Sequence, residues 1–136
     1  MLRSVFVKDH MTKNPVTFTP EMTIREAVHL LVKKDISGAP VLDGHGRLVG
    51  VLTERDCMRV TMQTDYYGEP YGLVKEFMSE NPQWVSPEQS ILTLADLFVS
   101  GRFHRYPVVD NGRLVGIISR RDVIRAMGQY YPTKSQ

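Results

Sequence analysis

Apolar residues recur along the chain in two copies of one pattern. Ile24, Ala27, Val28 and Leu31 stand at i, i+3, i+4 and i+7, and Ile91, Leu94, Ala95 and Phe98 repeat that spacing 67 residues later. Each set predicts an amphipathic helix with one buried stripe. Thr23 with Glu26 three residues on predicts a capping box for the first helix, and Ser90 predicts the cap of the second. Ahead of each helix runs a stretch bounded by prolines, Pro15 to Pro20 and Pro82 to Pro87, which excludes helix and admits an edge or first strand. After each helix, Ala39 to Leu42 and Tyr106 to Val109 read as strands. Asp43 to Gly46 and Asp110 to Gly112 read as hairpin turns, and Leu48 to Leu52 and Leu114 to Ile118 as the returning strands. A last helix starts at Thr53 or Ser119 and runs through Val60 or Met127. The predicted unit is β-α-β-β-α.

Laying Val7 to Asp43 over Val74 to Asp110, then Gly46 to Arg59 over Gly112 to Arg125 with a gap at His45, gives 21 identities. Unrelated segments of average composition match at about three positions over such a length. The expected organisation is one repeat at 1–61, a linker at 62–72 carrying Gly68, Pro70, Gly72 and three tyrosines (Tyr66, Tyr67, Tyr71), and a second repeat at 73–136. A unit of about 60 residues is near the lower size limit for a stable core. The two are therefore expected to pack face to face with pseudo-two-fold symmetry, as an α/β (α+β) fold of two tandem β-α-β-β-α repeats. Equivalent pockets then come in pairs.

Composition narrows the function classes. Seventeen basic and fifteen acidic residues leave a net charge of +2, too even a balance for a nucleic-acid footprint. The single cysteine, Cys57, excludes an internal disulfide, and with seven methionines it points to a reducing compartment, so a cytoplasmic location is expected. No run of 18 apolar residues and no signal-type N-terminus is present, so no membrane span or leader is expected. His10, His29 and His45 fall on a loop, a helix and a turn without ligand spacing to Cys57 or to paired carboxylates, and no metal is expected. With no phosphate-cradling glycine loop and no nucleophile elbow, the chain reads as a non-enzyme with no catalytic residues and no required cofactor.

The strongest local signal is Gly50-Val-Leu-Thr53-Glu-Arg-Asp56, echoed as Gly116-Ile-Ile-Ser119-Arg-Arg-Asp122, where a strand passes into a helix. Glycine is expected to end the strand and the hydroxyl residue to open the helix. A Ser or Thr with Asp three residues later is also a plain helix start. The same corner offers a ligand free amide N–H groups, the positive end of a helix dipole and a carboxylate able to accept both hydrogens of a ribose diol. Both readings fit the residues.

The pattern Gly, apolar, any residue, Ser or Thr, two residues, Asp, together with an apolar-x-x-Pro strand entry after the first helix, resembles the cystathionine-β-synthase-type (CBS) domain pair, or Bateman module, over nearly the whole chain. That resemblance implies a regulatory, energy-sensing module binding an adenine nucleotide, AMP, ADP or ATP, between the repeats. It implies that Thr53 with Asp56, and Ser119 with Asp122, hold ribose or phosphate oxygens. The segment Phe103-His104-Arg105-Tyr106-Pro107 is similar to the His-Arg segment of nucleotide-sensing members such as the γ subunit of AMP-activated kinase, where the cations face phosphate. Arginine suits phosphate through its planar fork and permanent charge. A solvated surface charge is the alternative for Arg105. The first copy has Ser37 and Gly38 at these positions, so the two sites are expected to be unequal.

By the family's geometry, the pocket of Ser119 and Asp122 also draws Asn14, Thr19, Ile36 and Ser37, and its mate joins Thr53 and Asp56 to Asn81, Ser86 and Phe103. Arg55 and Arg121 are candidate phosphate contacts or exposed helix-start arginines. The expected partners are the nucleotide, a second copy of the chain through helix faces, and an effector protein. The competing functions are an interaction module without ligand, S-adenosylmethionine binding, and nucleic-acid binding.

Overall fold

The computed structural model describes residues 2–63 and 72–131. Most of the expected linker, with Gly68, Pro70 and its tyrosines, and the end of the second repeat lie outside the described residues. After two 3₁₀ turns (Leu2–Ser4 and Val7–Asp9) come β1 (Thr12–Lys13), α1 (Ile24–Lys34), β2 (Gly38–Leu42), β3 (Leu48–Thr53) and α2 (Glu54–Gln63). Then follow α3 (Val74–Phe77), β4 (Ser79–Glu80), α4 (Ile91–Ser100), β5 (Arg105–Asp110), β6 (Arg113–Ser119) and α5 (Arg120–Tyr130). The architecture is mixed α+β, with two three-stranded sheets ordered β2-β3-β4 and β1-β6-β5.

The periodic segments fold as their spacing predicts. Ile24, Ala27 and Leu31 of α1, and Ile91 and Leu94 of α4, are buried. The Thr23 hydroxyl accepts the Glu26 N–H at 3.1 Å while the Glu26 carboxylate accepts the Thr23 N–H at 3.3 Å, closing the capping box. The Ser90 hydroxyl caps α4 through the Thr93 N–H at 3.2 Å. Between β5 and β6, Asn111 and Gly112 both take positive φ (50° and 79°), the requirement of a two-residue type I′ turn. The β2–β3 connection, residues 43–47, is longer. There the Asp43 carboxylate accepts the N–H groups of Arg47 (2.9 Å) and His45 (2.8 Å), which hold its pKa below the usual aspartate value.

The chain forms two compact units, and they are not the two sequence repeats. Unit 1 joins residues 1–15 to 83–136, and unit 2 is 16–82. The leading stretch of each repeat docks on the body of the other. β1 pairs antiparallel with β6 (Thr12 opposite Ile117, Lys13 opposite Gly116), and β4 pairs with β3 (Ser79 opposite Val51, Glu80 opposite Gly50). Three backbone bonds repeat in both units. In unit 1 the N–H groups of Ile91, Val7 and Lys8 donate to Val5, Gln89 and Pro87, and in unit 2 those of Ile24, Val74 and Lys75 donate to Gly72, Met22 and Pro20. Val7 and Val74 are fully buried, one in each unit's core. The chain leaves each docked stretch at an Asn-Pro pair, Asn14-Pro15 and Asn81-Pro82, with both asparagines left-handed at φ 50° and 51°, a conformation Asn tolerates better than most residues.

Two expectations are corrected. The proline-bounded stretches do not form strands. Each makes a single parallel bridge, Phe18 to Val41 and Val85 to Val108, because the prolines at their ends supply no N–H to extend it. Gly50 and Gly116 do not end their strands but sit inside β3 and β6. A Cβ on Gly50 would lie 2.5 Å from the Met78 sulfur, and one on Gly116 would lie 2.7 Å from both the Met11 sulfur and the Thr12 carbonyl. Glycine is needed there because the docked stretch passes directly over the strand.

Candidate functional site

Ser119 ends β6 and caps α5 from an extended conformation (φ −113°, ψ 166°). Its N–H (2.8 Å) and its hydroxyl (3.0 Å) both donate to Asp122 Oδ2, while the hydroxyl accepts the Asp122 N–H at 3.3 Å. The second carboxylate oxygen, Oδ1, accepts Arg125 Nη1 at 3.2 Å. Unit 2 builds the same corner. The Thr53 N–H (2.8 Å) and hydroxyl (3.0 Å) donate to Asp56 Oδ2, the Asp56 N–H donates to the hydroxyl at 3.3 Å, and Arg59 Nη1 meets Asp56 Oδ1 at 2.9 Å. Asp56 and Asp122 are 5% and 9% exposed, the two carboxylates buried among the described residues. A buried carboxylate is tolerated when its oxygens are hydrogen-bonded and charge-paired. Both oxygens here meet that condition, so the helix-start reading of the motif is realised in full. In each corner Oδ2 has both lone pairs engaged, and Oδ1, with one arginine donor, keeps one lone pair for an incoming hydroxyl.

The unit 1 corner gathers cations. Arg105 pairs with Ser119 across β5 and β6, and directly opposed residues present their side chains on one face of a sheet. The His104 carbonyl accepts the Arg120 N–H at 3.1 Å, and Arg120 Nη2 donates to His104 Nδ1 at 2.7 Å. That contact requires an unprotonated Nδ1 and so directs the remaining ring N–H to Nε2. Phe103 packs edge-on to Tyr106, with ring centroids 5.8 Å apart. Arg121 is exposed on the first turn of α5. The register carries Asn14 out of the sheet just past the Lys13–Gly116 pair, three strand residues from Ser119, or about 10 Å at the usual strand rise. Asn14 therefore stands apart from the group formed by Phe103, His104, Arg105, Ser119 and Asp122. Ser86, the first-strand partner expected for the other corner, belongs to this unit too, its N–H donating to the Gln89 side chain at 2.7 Å.

Unit 2 holds Thr19, Ile36, Ser37 and Asn81 together with Thr53 and Asp56. The Ser37 carbonyl accepts the Glu54 N–H at 2.8 Å, and Gly38 pairs with Thr53 across β2 and β3, so Ser37 reaches the corner as His104 does in unit 1. Thr19 is exposed in the turn before α1, its carbonyl accepting the Met22 N–H. Ile36 turns the other way, into a groove of about 440 Å³ between α1 and α2 that is also lined by Val28, Leu31, Cys57 and Met58. Arg55 is exposed.

Two sets of residues escaped the sequence reading. Arg59 and Arg125 complete the carboxylate corners, and their signal was their identity in both copies three residues after the Asp. Arg120 joins His104, and its signal was the charge reversal against Glu54. Among the described residues, no group of three or more His, Cys, Asp and Glu side chains is placed to hold a metal ion, and no helix is long and apolar enough to cross a membrane.

The CBS domain profile matches residues 7–62 and again 74–129. Protein MJ1225 of Methanocaldococcus jannaschii is 30% identical over 122 residues, covering 90% of this chain and 42% of that protein. The chain spans only 23% and 22% of two inosine-5′-monophosphate dehydrogenases that it also matches. A crystal structure of CBSX2 in complex with AMP superposes with a TM-score of 0.82 at 32% identity, covering 93% of this chain and 98% of the other; CBSX2 is a CBS-pair protein from Arabidopsis thaliana. The CBS domain pair of protein MJ0100, in complex with 5′-methylthioadenosine and S-adenosyl-L-methionine, superposes at 0.80 with 29% identity, covering 93% and 98%. With the profile matched twice and solved CBS pairs superposing over nearly their full length, this chain belongs to the CBS domain family, as a pair of CBS domains.

Proposed function

We propose that the chain is a regulatory module that binds an adenosine compound, with AMP, ADP or ATP first among the candidates, at the Ser119–Asp122 and Thr53–Asp56 corners. The observation that carries this reading is the duplicated buried carboxylate corner in a chain whose relative CBSX2 is in complex with AMP. Each Asp accepts a ribose hydroxyl at Oδ1, with Ser119 or Thr53 beside it, and Arg105 supplies the cationic side for phosphate with the neutral His104 as a further donor through Nε2. Ser37 takes sugar or base in the other corner. A second reading, S-adenosylmethionine or a related adenosine thioether, is favoured by the complex of MJ0100. No reaction follows binding. The signal is a change of shape or of affinity for an effector protein, which requires that two states of the module differ in their affinity for the ligand.

Nucleotide at 100 times its dissociation constant stabilises the native state by about 2.7 kcal/mol, a melting shift of several degrees at this size. An unmoved melting temperature with AMP, ADP, ATP and S-adenosylmethionine alike refutes the proposal. A homodimer through helix faces belongs to the same reading. Val32 on α1 and Val99 on α4 hold the same repeat position and are 77% and 87% exposed. Sedimentation as a single 15.5 kDa chain refutes that part.

A further inference from the structure

The two corners share one carboxylate geometry and differ at three positions around it, two of them in charge. In unit 1 the residues beside the corner are His104, Arg105 and Arg120; at the same repeat positions unit 2 has Ser37, Gly38 and Glu54. The exchange is spatial as well as sequential. Position 104 or 37 gives its carbonyl to the N–H of position 120 or 54, and position 105 or 38 lies opposite the capping hydroxyl residue. Taking Arg105, Arg120, Arg121, Asp122 and Arg125 as charged and His104 as neutral, the unit 1 corner carries +3; Glu54, Arg55, Asp56 and Arg59 of unit 2 sum to zero.

The Arg120 side chain is also held beside the corner. Arg120 donates to His104 Nδ1 at 2.7 Å, and the ion pairs among the described residues include no carboxylate facing Arg120 or Arg121. Arg120 and Arg121 are like charges on one helix start, and their repulsion is relieved when an anion joins them. Glu54 does the reverse, placing a carboxylate on the first turn of α2, where it repels a phosphate that the helix end would otherwise attract.

We infer that the corners are specialised. The Ser119–Asp122 corner takes a phosphorylated adenosine, the Thr53–Asp56 corner takes an adenosine whose 5′ substituent is uncharged or positive, and Arg120 and Glu54 decide which. The inference rests on the adenosine-binding reading above and adds to it the ligand class of each corner. A 5′-thioether or sulfonium group fits the second corner, and the 5′-phosphate of a nucleotide fits the first.

The test is calorimetric titration with AMP and with 5′-methylthioadenosine, ligands that share base and ribose and differ in the charge at the 5′ position. The wild-type chain takes one equivalent of AMP tightly, and 5′-methylthioadenosine still binds when AMP is saturating. R120E weakens AMP about 10-fold or more while leaving 5′-methylthioadenosine within about 2-fold, and E54R adds a second AMP equivalent. Both residues are exposed, and a circular dichroism spectrum of each variant confirms that it is folded. R120K and E54Q stand in for either variant that is not, with the same direction and a smaller change. Two equal AMP sites in the wild type, or an AMP preference untouched by R120E and E54R, overturns the specialisation while adenosine binding stands. Failure of both ligands to bind overturns the adenosine reading itself, and the specialisation with it.

Discussion

Replacing Asp122 by alanine removes three interactions of unequal worth, the Arg125 pair and the bonds from the Ser119 N–H and hydroxyl, of which the hydroxyl bond passes to water at the half-buried Ser119. Arg125 Nη1 sits 3.2 Å from Oδ1, but the Arg125 side chain is 68% exposed, so water replaces and screens that pair and its share is below about 1 kcal/mol. The Ser119 N–H is 2.8 Å from Oδ2 at the joint between β6 and α5, and a backbone donor bound to a charged acceptor contributes about 1.5–3 kcal/mol. The Ser119 hydroxyl still accepts the N–H of residue 122 after the change, so half of the box survives. The expected cost of Asp122→Ala is therefore about 2–3 kcal/mol. Asp122→Asn keeps an oxygen for the Ser119 N–H and loses only the charge and the Arg125 pair, for about 1 kcal/mol.

Urea unfolding followed by the fluorescence of Trp84, the single tryptophan and a residue of unit 1, reads both variants. With a slope of about 1–3 kcal/mol per M, the alanine variant loses about 1–2 M in midpoint and the asparagine variant less than half as much. An alanine variant within about 0.5 kcal/mol of wild type, or an asparagine variant as costly as alanine, refutes the argument that hydrogen-bond geometry holds this helix start.

Val7→Ala removes two methyl groups from a side chain fully buried in unit 1, a loss of about 2 kcal/mol with its cavity. Since Val7 belongs to the first repeat and Trp84 to the second, a lowered Trp84 transition reports the docking of 1–15 on 83–131, and an unchanged one refutes it. Burial first, then the charges of Asp56 and Glu54, push the Cys57 thiol up to about 11. The folded pKa thus lies above the ordinary thiol range. The stabilisation is present at neutral pH and is lost as pH rises from the unfolded value towards the folded one. Iodoacetamide at pH 8 should react much faster with the urea-unfolded chain than with the native one, and equal rates refute the shielded thiol.

What could be read from the residues depended on the range of the interaction. The helices at 24–34 and 91–100 and both hairpins were legible because their signals, a 3.6-residue stripe, a capping box and a short turn with glycine, are local. The docking of β1 on β6 and of β4 on β3 was not. Each docked strand has two residues, too few for a period to show, and its pairing is decided by contacts more than 25 residues away in sequence. The reason for Gly50 and Gly116 was hidden for the same cause, since Met78 and Met11 reach them only through that docking. The Ser119 and Thr53 corners were located by their repetition, yet their two readings, helix cap and ligand corner, stayed open because one geometry serves both. A carboxylate that accepts a backbone N–H, a hydroxyl and an arginine is a capped helix start, and the one lone pair left on Oδ1 is the acceptor that the ligand reading would use. Positions identical in the two copies cannot by themselves make the corners differ in affinity. On the proposal of specialised corners, a ligand is discriminated where the copies disagree, at His104 and Ser37, Arg105 and Gly38, Arg120 and Glu54, since a difference of affinities arises only from groups that differ.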